Sequence, residues 1–181
     1  AEMLSDLPDE LGTDWSLRGY YGTMNHNVKA AFDKHFGWYD GNPATLHPLP
    51  RVEAGKRFVE YMGGDKAIIA KAKKDYAKGD YRWVAQVLTH VVYAQPDNMD
   101  ARNLLADTFE QLGYQAEAGT WRGWYLTGAK ELRVGVKKLP LVDFASPSSV
   151  EAEPVELYFD YLSVRLDYKK AAGKKLHLNF D

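Results

Sequence analysis

Cysteine is missing from all 181 positions, which excludes disulfides, zinc fingers and thiol nucleophiles and leaves the compartment unmarked. No apolar run approaches the roughly 18 residues of a membrane span, so no spanning segment is expected. The opening "AEMLSDLPDELGTDW" carries no basic-then-apolar leader pattern. Charge of one sign is not in excess either. Lys and Arg number 23 against 25 Asp and Glu, and the net charge of -2 gives no electrostatic reason to expect nucleic acid or an anionic membrane as partner. GxSxG, P-loop and GxGxxG patterns are absent, so the usual hydrolase-elbow, nucleotide and dinucleotide readings have no footing. The five histidines, His26, His35, His47, His90 and His177, show no HxH, HxxxH or HExxH spacing, and therefore no local metal motif.

What is present is a globular composition, 45% hydrophobic and 27% charged. A chain of this length holds one ordinary domain or two small ones and buries roughly 70% of its unfolded surface. Five Trp and twelve Tyr exceed what a minimal helical bundle needs. They serve either the core or contacts to ligand and subunit.

Apolar periodicity is clearest in the middle of the chain. Tyr81, Val84, Ala85, Leu88, Val91 and Val92 recur at three- and four-residue steps and predict one helix, with Asp80 at its N-cap and Pro96, Asp97 and Asn98 ending it. Ala101, Leu104, Leu105 and Leu112 predict a second, closed by Gly113 as C-cap, and the run from Gln115 to about Lys130 a third. The spacing is that of tetratricopeptide-like helical hairpins. Only about one and a half units are visible, so their faces are expected to close on other elements. Upstream helices over 52–62 and 66–78, split by "GGD", serve that need. A second copy also serves it, with Trp83, Trp121, Trp124 and Tyr125 as anchors or, equally, as internal packing.

Residues 136–154 are rich in Pro and Ser and read as a linker. Beyond them Val155, Phe159, Leu162 and Leu166 fall at helical steps, and "KKLHLNF" alternates like a strand. The expected class is therefore mainly all-α, with the helix and strand of an incomplete α+β domain at the end. Both chain ends are expected to lie inside a longer protein.

The stretch "RGYYGTMNHNVKAAFDKHFGWYDGNP", residues 18–43, serves neither core nor linker cleanly. Arg18, Tyr20, Tyr21, His26, Asn27 and Lys29 supply donors within twelve residues, with Gly19 and Gly22 between them. Such a set suits a tetrahedral oxyanion such as sulfate or phosphate. No carboxylate lies between Asp14 and Asp33, so the local field is expected to be positive. A plain helix start, capped by Thr23 or Asn25, explains the same residues equally well. His90 reads as half-buried packing, His177 as surface and His47 as structural.

"RGYYGTMNHNVKAAFDKHFGWYDGNPATLHPLP", "VEYMGG", "DYRWVAQVLTHVVYAQPDNMDARNLLADTFEQLGYQAEAGTWRGWYLTGAKEL" and "LYFDYLSVRLDYKKAAGKKLHLNF" resemble consecutive blocks of the bacterial alkylsulfatases, hydrolases of dodecyl sulfate and similar surfactants. The resemblance runs from about Trp15 to the end. It implies a parent with a metallo-β-lactamase-like domain holding two zinc ions, a helical dimerisation domain and a sterol-carrier-like domain. Residues 1–50 then match the tail of the catalytic region, 51–135 the dimerisation domain, 136–152 a linker and 153–181 the start of the lipid-carrier domain. The family's zinc-ligand motif is not in these 181 residues, so no metal ligands or catalytic residues are assigned and no activity is expected of this chain alone.

The resemblance further implies that Arg18, Tyr21, His26, Asn27 and Lys29 help hold the sulfate, with His26 and Asn27 foremost. Asn25 stands where the family more often has Ser, and His35 where it has Tyr, which makes His35 a poor site candidate. The implied partners are a second copy of the chain and an alkyl sulfate. The family favours a periplasmic or secreted location. Two other readings compete: a non-catalytic tetratricopeptide-like interaction module, and a lipid-binding module built on "VELYFDYLSVRL".

Overall fold

The computed structural model describes residues 8–137, 146–175 and 177, and all regular structure among them is helical. The chain divides into two compact units, residues 1–137 and 138–181. In the first, α1 (Asp9–Gly12) and a 3-10 turn (Trp15–Leu17) precede α2 (Met24–Phe36) and α3 (Pro43–Leu46). Then come α4 (Arg51–Tyr61), α5 (Asp65–Lys78), α6 (Tyr81–Ala94), α7 (Met99–Gln115) and α8 (Gly119–Val134). The second unit contains α9 (Pro147–Ala152), α10 (Val155–Arg165) and α11 (Tyr168–Ala171). Most of the expected strand "KKLHLNF" lies outside the described residues; Lys174, Lys175 and His177 belong to no regular element.

The core is built around α6, which packs against α4, α5 and α7, while α7 also packs against α8. All six residues of the expected α6 stripe are buried or half-buried, and Val87, outside that stripe, is buried as well. A helix flanked by three others buries more than one face. Val59 of α4, Ile68, Ile69 and Ala72 of α5, and Ala101, Leu104 and Leu105 of α7 complete the cluster. Thr108, the buried polar residue of α7, donates its hydroxyl to the Leu104 carbonyl at 2.7 Å, so it leaves no donor unpaired.

The α6–α7 turn is fixed by Asn98. Its Oδ1 accepts from the Ala101 N–H at 3.0 Å as N-cap of α7, and its Nδ2 donates to Gln95 at 2.8 Å and to Asp65 of α5 at 3.2 Å. Asp80 does stand at the N-cap of α6 but makes no side-chain capping bond.

Gly113 is not a C-cap. It lies buried inside α7, which runs on to Gln115. A methyl there would sit 2.9 Å from Leu126 Cδ2 and 3.0 Å from Leu126 Cγ, so the glycine is what lets α7 and α8 approach. The third helix correspondingly starts at Gly119, four residues later than expected. Across the same pair, Arg133 of α8 donates to Glu110 at 2.6 and 2.9 Å and to Asp107 at 2.6 Å. Residues 136–154, expected as linker, contain the short helix α9, where Pro147 opens the first turn and the Ser146 hydroxyl accepts from the Ser149 N–H at 3.3 Å. Val155, Phe159 and Leu162 of α10, and Leu166 at its C-cap, remain exposed.

Candidate functional site

Segment 18–29 is held against the start of α8 by bonds from four successive stations. Arg18 Nε donates to Glu117 Oε1 at 2.6 Å. The Gly119 N–H donates to the Tyr20 carbonyl at 2.6 Å, and the Thr120 hydroxyl to the Tyr21 carbonyl at 2.8 Å. Trp121 Nε1 donates to His26 Nδ1 at 3.2 Å. The loop between Arg18 and α2 is tight: a methyl on Gly19 would lie 2.8 Å from the Gly22 carbonyl oxygen.

Helix α2 starts where Thr23 accepts from the His26 N–H at 3.0 Å, so Thr23 and not Asn25 is its cap. The Asn25 Oδ1 is instead buried with no hydrogen-bond partner. None of the residues of α2 is fully buried. His35 is exposed in its last turn, where a basic side chain complements the helix dipole.

The five expected sulfate donors separate into groups. Arg18 and Asn27 line one cavity of about 640 Å³, together with Gly19, Gly22, Gln115, Glu117 and Trp121. His26 and Lys29 line a smaller one of about 340 Å³ with Trp121, Trp124 and Tyr125. The Trp121 indole belongs to both. Tyr21 lines neither; the residue is 83% exposed and it is its carbonyl that is engaged. The His26 ring packs at 5.9 Å from Trp124 and 6.3 Å from Trp121, and the Lys29 ammonium lies 5.8 Å from the Trp121 ring centre. Of the expected subunit anchors, Trp121 and Tyr125 are half-buried at this site, and Trp83 and Trp124 are mostly exposed.

The expectation of a net positive local field, drawn from the local sequence alone, has to include Glu117. This carboxylate comes from 99 positions away in sequence to pair with Arg18, and it holds the guanidinium above its ordinary pKa through the hydrogen bond and charge attraction. Sequence reasoning missed Glu117 and Gln115 because no local pattern links them to residues 18–27. Among the described residues, no three His, Cys, Asp or Glu side chains converge to hold a metal ion. Elsewhere His90 is half-buried as expected, its ring 4.2 Å from that of Phe58, and burial lowers its pKa. His47 and His177 are exposed.

The chain's relatives are consistent in kind. A family model described as alkyl sulfatase dimerisation matches residues 1–135, and so includes the segment expected to be the tail of a catalytic region. A linear primary-alkylsulfatase of Pseudomonas sp is 54% identical over 97% of this chain and 26% of its own length. The alkyl/aryl-sulfatase BDS1 of Saccharomyces cerevisiae is 52% identical over 96% of this chain and 27% of its own length. The solved structure of the stereoselective inverting sec-alkylsulfatase Pisa1 from Pseudomonas sp. superposes with a TM-score of 0.85 at 47% identity, covering 95% of this chain and 27% of that one. The chain thus spans about a quarter of the length of the relatives it matches. It belongs to the alkyl sulfatase dimerisation family.

Proposed function

We propose that this chain is the dimerisation and substrate-pocket portion of a zinc-dependent alkylsulfatase, which hydrolyses alkyl sulfate esters to alcohol and sulfate as part of surfactant degradation. The parent acts as a homodimer, and its two zinc ions are held by a metallo-β-lactamase-like domain. The described residues do not fit a zinc site, so no chemical step is assigned to them. Their part is to bind and orient.

The observation that carries this reading is the convergence of Arg18 and Asn27 on one cavity in a chain belonging to the alkyl sulfatase dimerisation family. Glu117 engages the Arg18 Nε, which leaves the terminal nitrogens of the guanidinium to meet a sulfate oxygen. Asn27 adds an amide donor lining the same cavity, and His26 and Lys29 line the neighbouring one that the Trp121 indole also borders. Donors fixed before the substrate arrives stabilise charge that develops on a sulfate group without reorganising.

The test is a titration of the chain with sodium sulfate, read by tryptophan fluorescence, since Trp121 borders both cavities. Saturable quenching that Arg18→Ala and Asn27→Ala both weaken supports the reading. No response in the unaltered chain contradicts the sulfate role. Supplied alone with zinc and dodecyl sulfate, the chain is expected to release no sulfate.

A further inference from the structure

Among the described residues Trp121 alone borders both cavities, and its polar atom is committed to neither. It spends its N–H on His26, donating from Nε1 to Nδ1 at 3.2 Å. An indole nitrogen is a donor only, whereas a neutral imidazole carries one donor and one acceptor. The nitrogen that accepts from Trp121 must therefore be the unprotonated one, and the ring proton sits on Nε2. A ring protonated on both nitrogens would set its Nδ1–H against the indole N–H, donor to donor.

From this we infer that Trp121 is a positioning residue: it holds His26 as the Nε2–H tautomer, so that the neutral ring presents a hydrogen-bond donor to an oxyanion oxygen. The inference rests on the sulfate reading for the identity of the oxyanion, but the tautomer follows from the Trp121–His26 contact alone. Three further features support the role. The Thr23 cap fixes where His26 falls on α2. Trp124 packs on the same imidazole at 5.9 Å, restricting the ring without bonding to it. The neighbouring bonds from Gly119 and Thr120 to the Tyr20 and Tyr21 carbonyls anchor the start of α8 to this segment, so the indole is held at a set distance from α2.

Trp121→Phe keeps an aromatic ring at the contact and removes only the donor, and Trp124→Phe changes the other aromatic wall while leaving that donor in place. Nitrogen-15 spectra of the histidine rings in the chain, labelled and assigned, read the tautomer directly. In the unaltered protein and in Trp124→Phe, His26 Nδ1 is expected to show the unprotonated type of shift. In Trp121→Phe both ring nitrogens are expected to move toward the average of a tautomer mixture. Sodium sulfate is expected to perturb the His26 signals of the unaltered chain, with binding about five- to tenfold weaker in Trp121→Phe, the scale of one lost hydrogen bond. A His26 spectrum that is the same in Trp121→Phe as in the unaltered chain overturns the inference. A tautomer that depends on Trp121, with no response to sulfate in the unaltered chain, instead overturns the sulfate reading and with it the donor's use.

Discussion

Arg18 and Glu117 meet at 2.6 Å across 99 positions of sequence, joining the loop before α2 to the turn that leads into α8. The pair is open to solvent, so its role is to orient and to set charge more than to stabilise. Glu117→Gln is expected to leave the thermal midpoint essentially unchanged, because Gly119 and Thr120 still hold the Tyr20 and Tyr21 carbonyls. Removing the negative charge beside the cavity is expected to tighten sulfate binding, whereas Arg18→Ala weakens it. Fluorescence titrations of the two variants check that opposition; a shift in the same direction for both contradicts it.

Gly113 and Gly123 give a matched pair of glycine-to-alanine tests. Alanine is favoured over glycine inside a helix by about 1 kcal/mol. At 113 the new methyl meets Leu126 Cγ at 3.0 Å and Tyr125 Cβ at 3.4 Å, atoms too close to the α8 backbone to swing aside. Overpacking of this kind costs about 1–3 kcal/mol, so Gly113→Ala is expected to be net destabilising. At 123 nothing lies within 4 Å, and Gly123→Ala is expected to stabilise by up to about 1 kcal/mol. Urea unfolding curves for the two variants decide both signs.

Arg133 binds both oxygens of Glu110 and one of Asp107, and the hydrogen bonds from Arg133 hold the Glu110 carboxyl below its ordinary value of 4.5. A carboxylate with a lowered folded-state pKa contributes stability that is present above 4.5 and lost as pH falls through the lowered value. Arg133→Gln is expected to cost about 1 kcal/mol near neutral pH. That difference should shrink as the pH drops below 4.5, which thermal unfolding from pH 7 to pH 3 measures.

His90 has the same sign by a different route. Burial against Phe58 lowers its pKa from the ordinary 6.5, so the unfolded chain binds the extra proton first as pH falls. Stability from this group is complete above 6.5 and declines as pH falls toward the lowered value. His90→Phe keeps a ring on Phe58 and should flatten the melting temperature over that interval relative to the unaltered chain. An unchanged slope contradicts the assignment.

The helical core was legible because its burial repeats locally: Val84, Leu88 and Val91 in α6, and Leu104 and Leu105 in α7, mark the inward faces at helical spacing. Gly113 misled because a glycine at the end of an apolar run has the same local signature whether it caps a helix or admits a neighbouring one. Only the position of Leu126 distinguishes the two. The donors at 18–29 were visible as residue types, but their partition was not. It depends on Glu117 and Trp121, which reach them through tertiary packing and leave no periodic trace. Val87 was missed for a similar reason, since a single stripe accounts for one packed face and α6 has several.

Sedimentation equilibrium of the chain across a wide concentration range tests the central claim most directly. The account predicts a species of twice the 20.5 kDa chain mass, dissociating only on dilution. A mass of 20.5 kDa at every concentration would contradict a dimerising role for these helices.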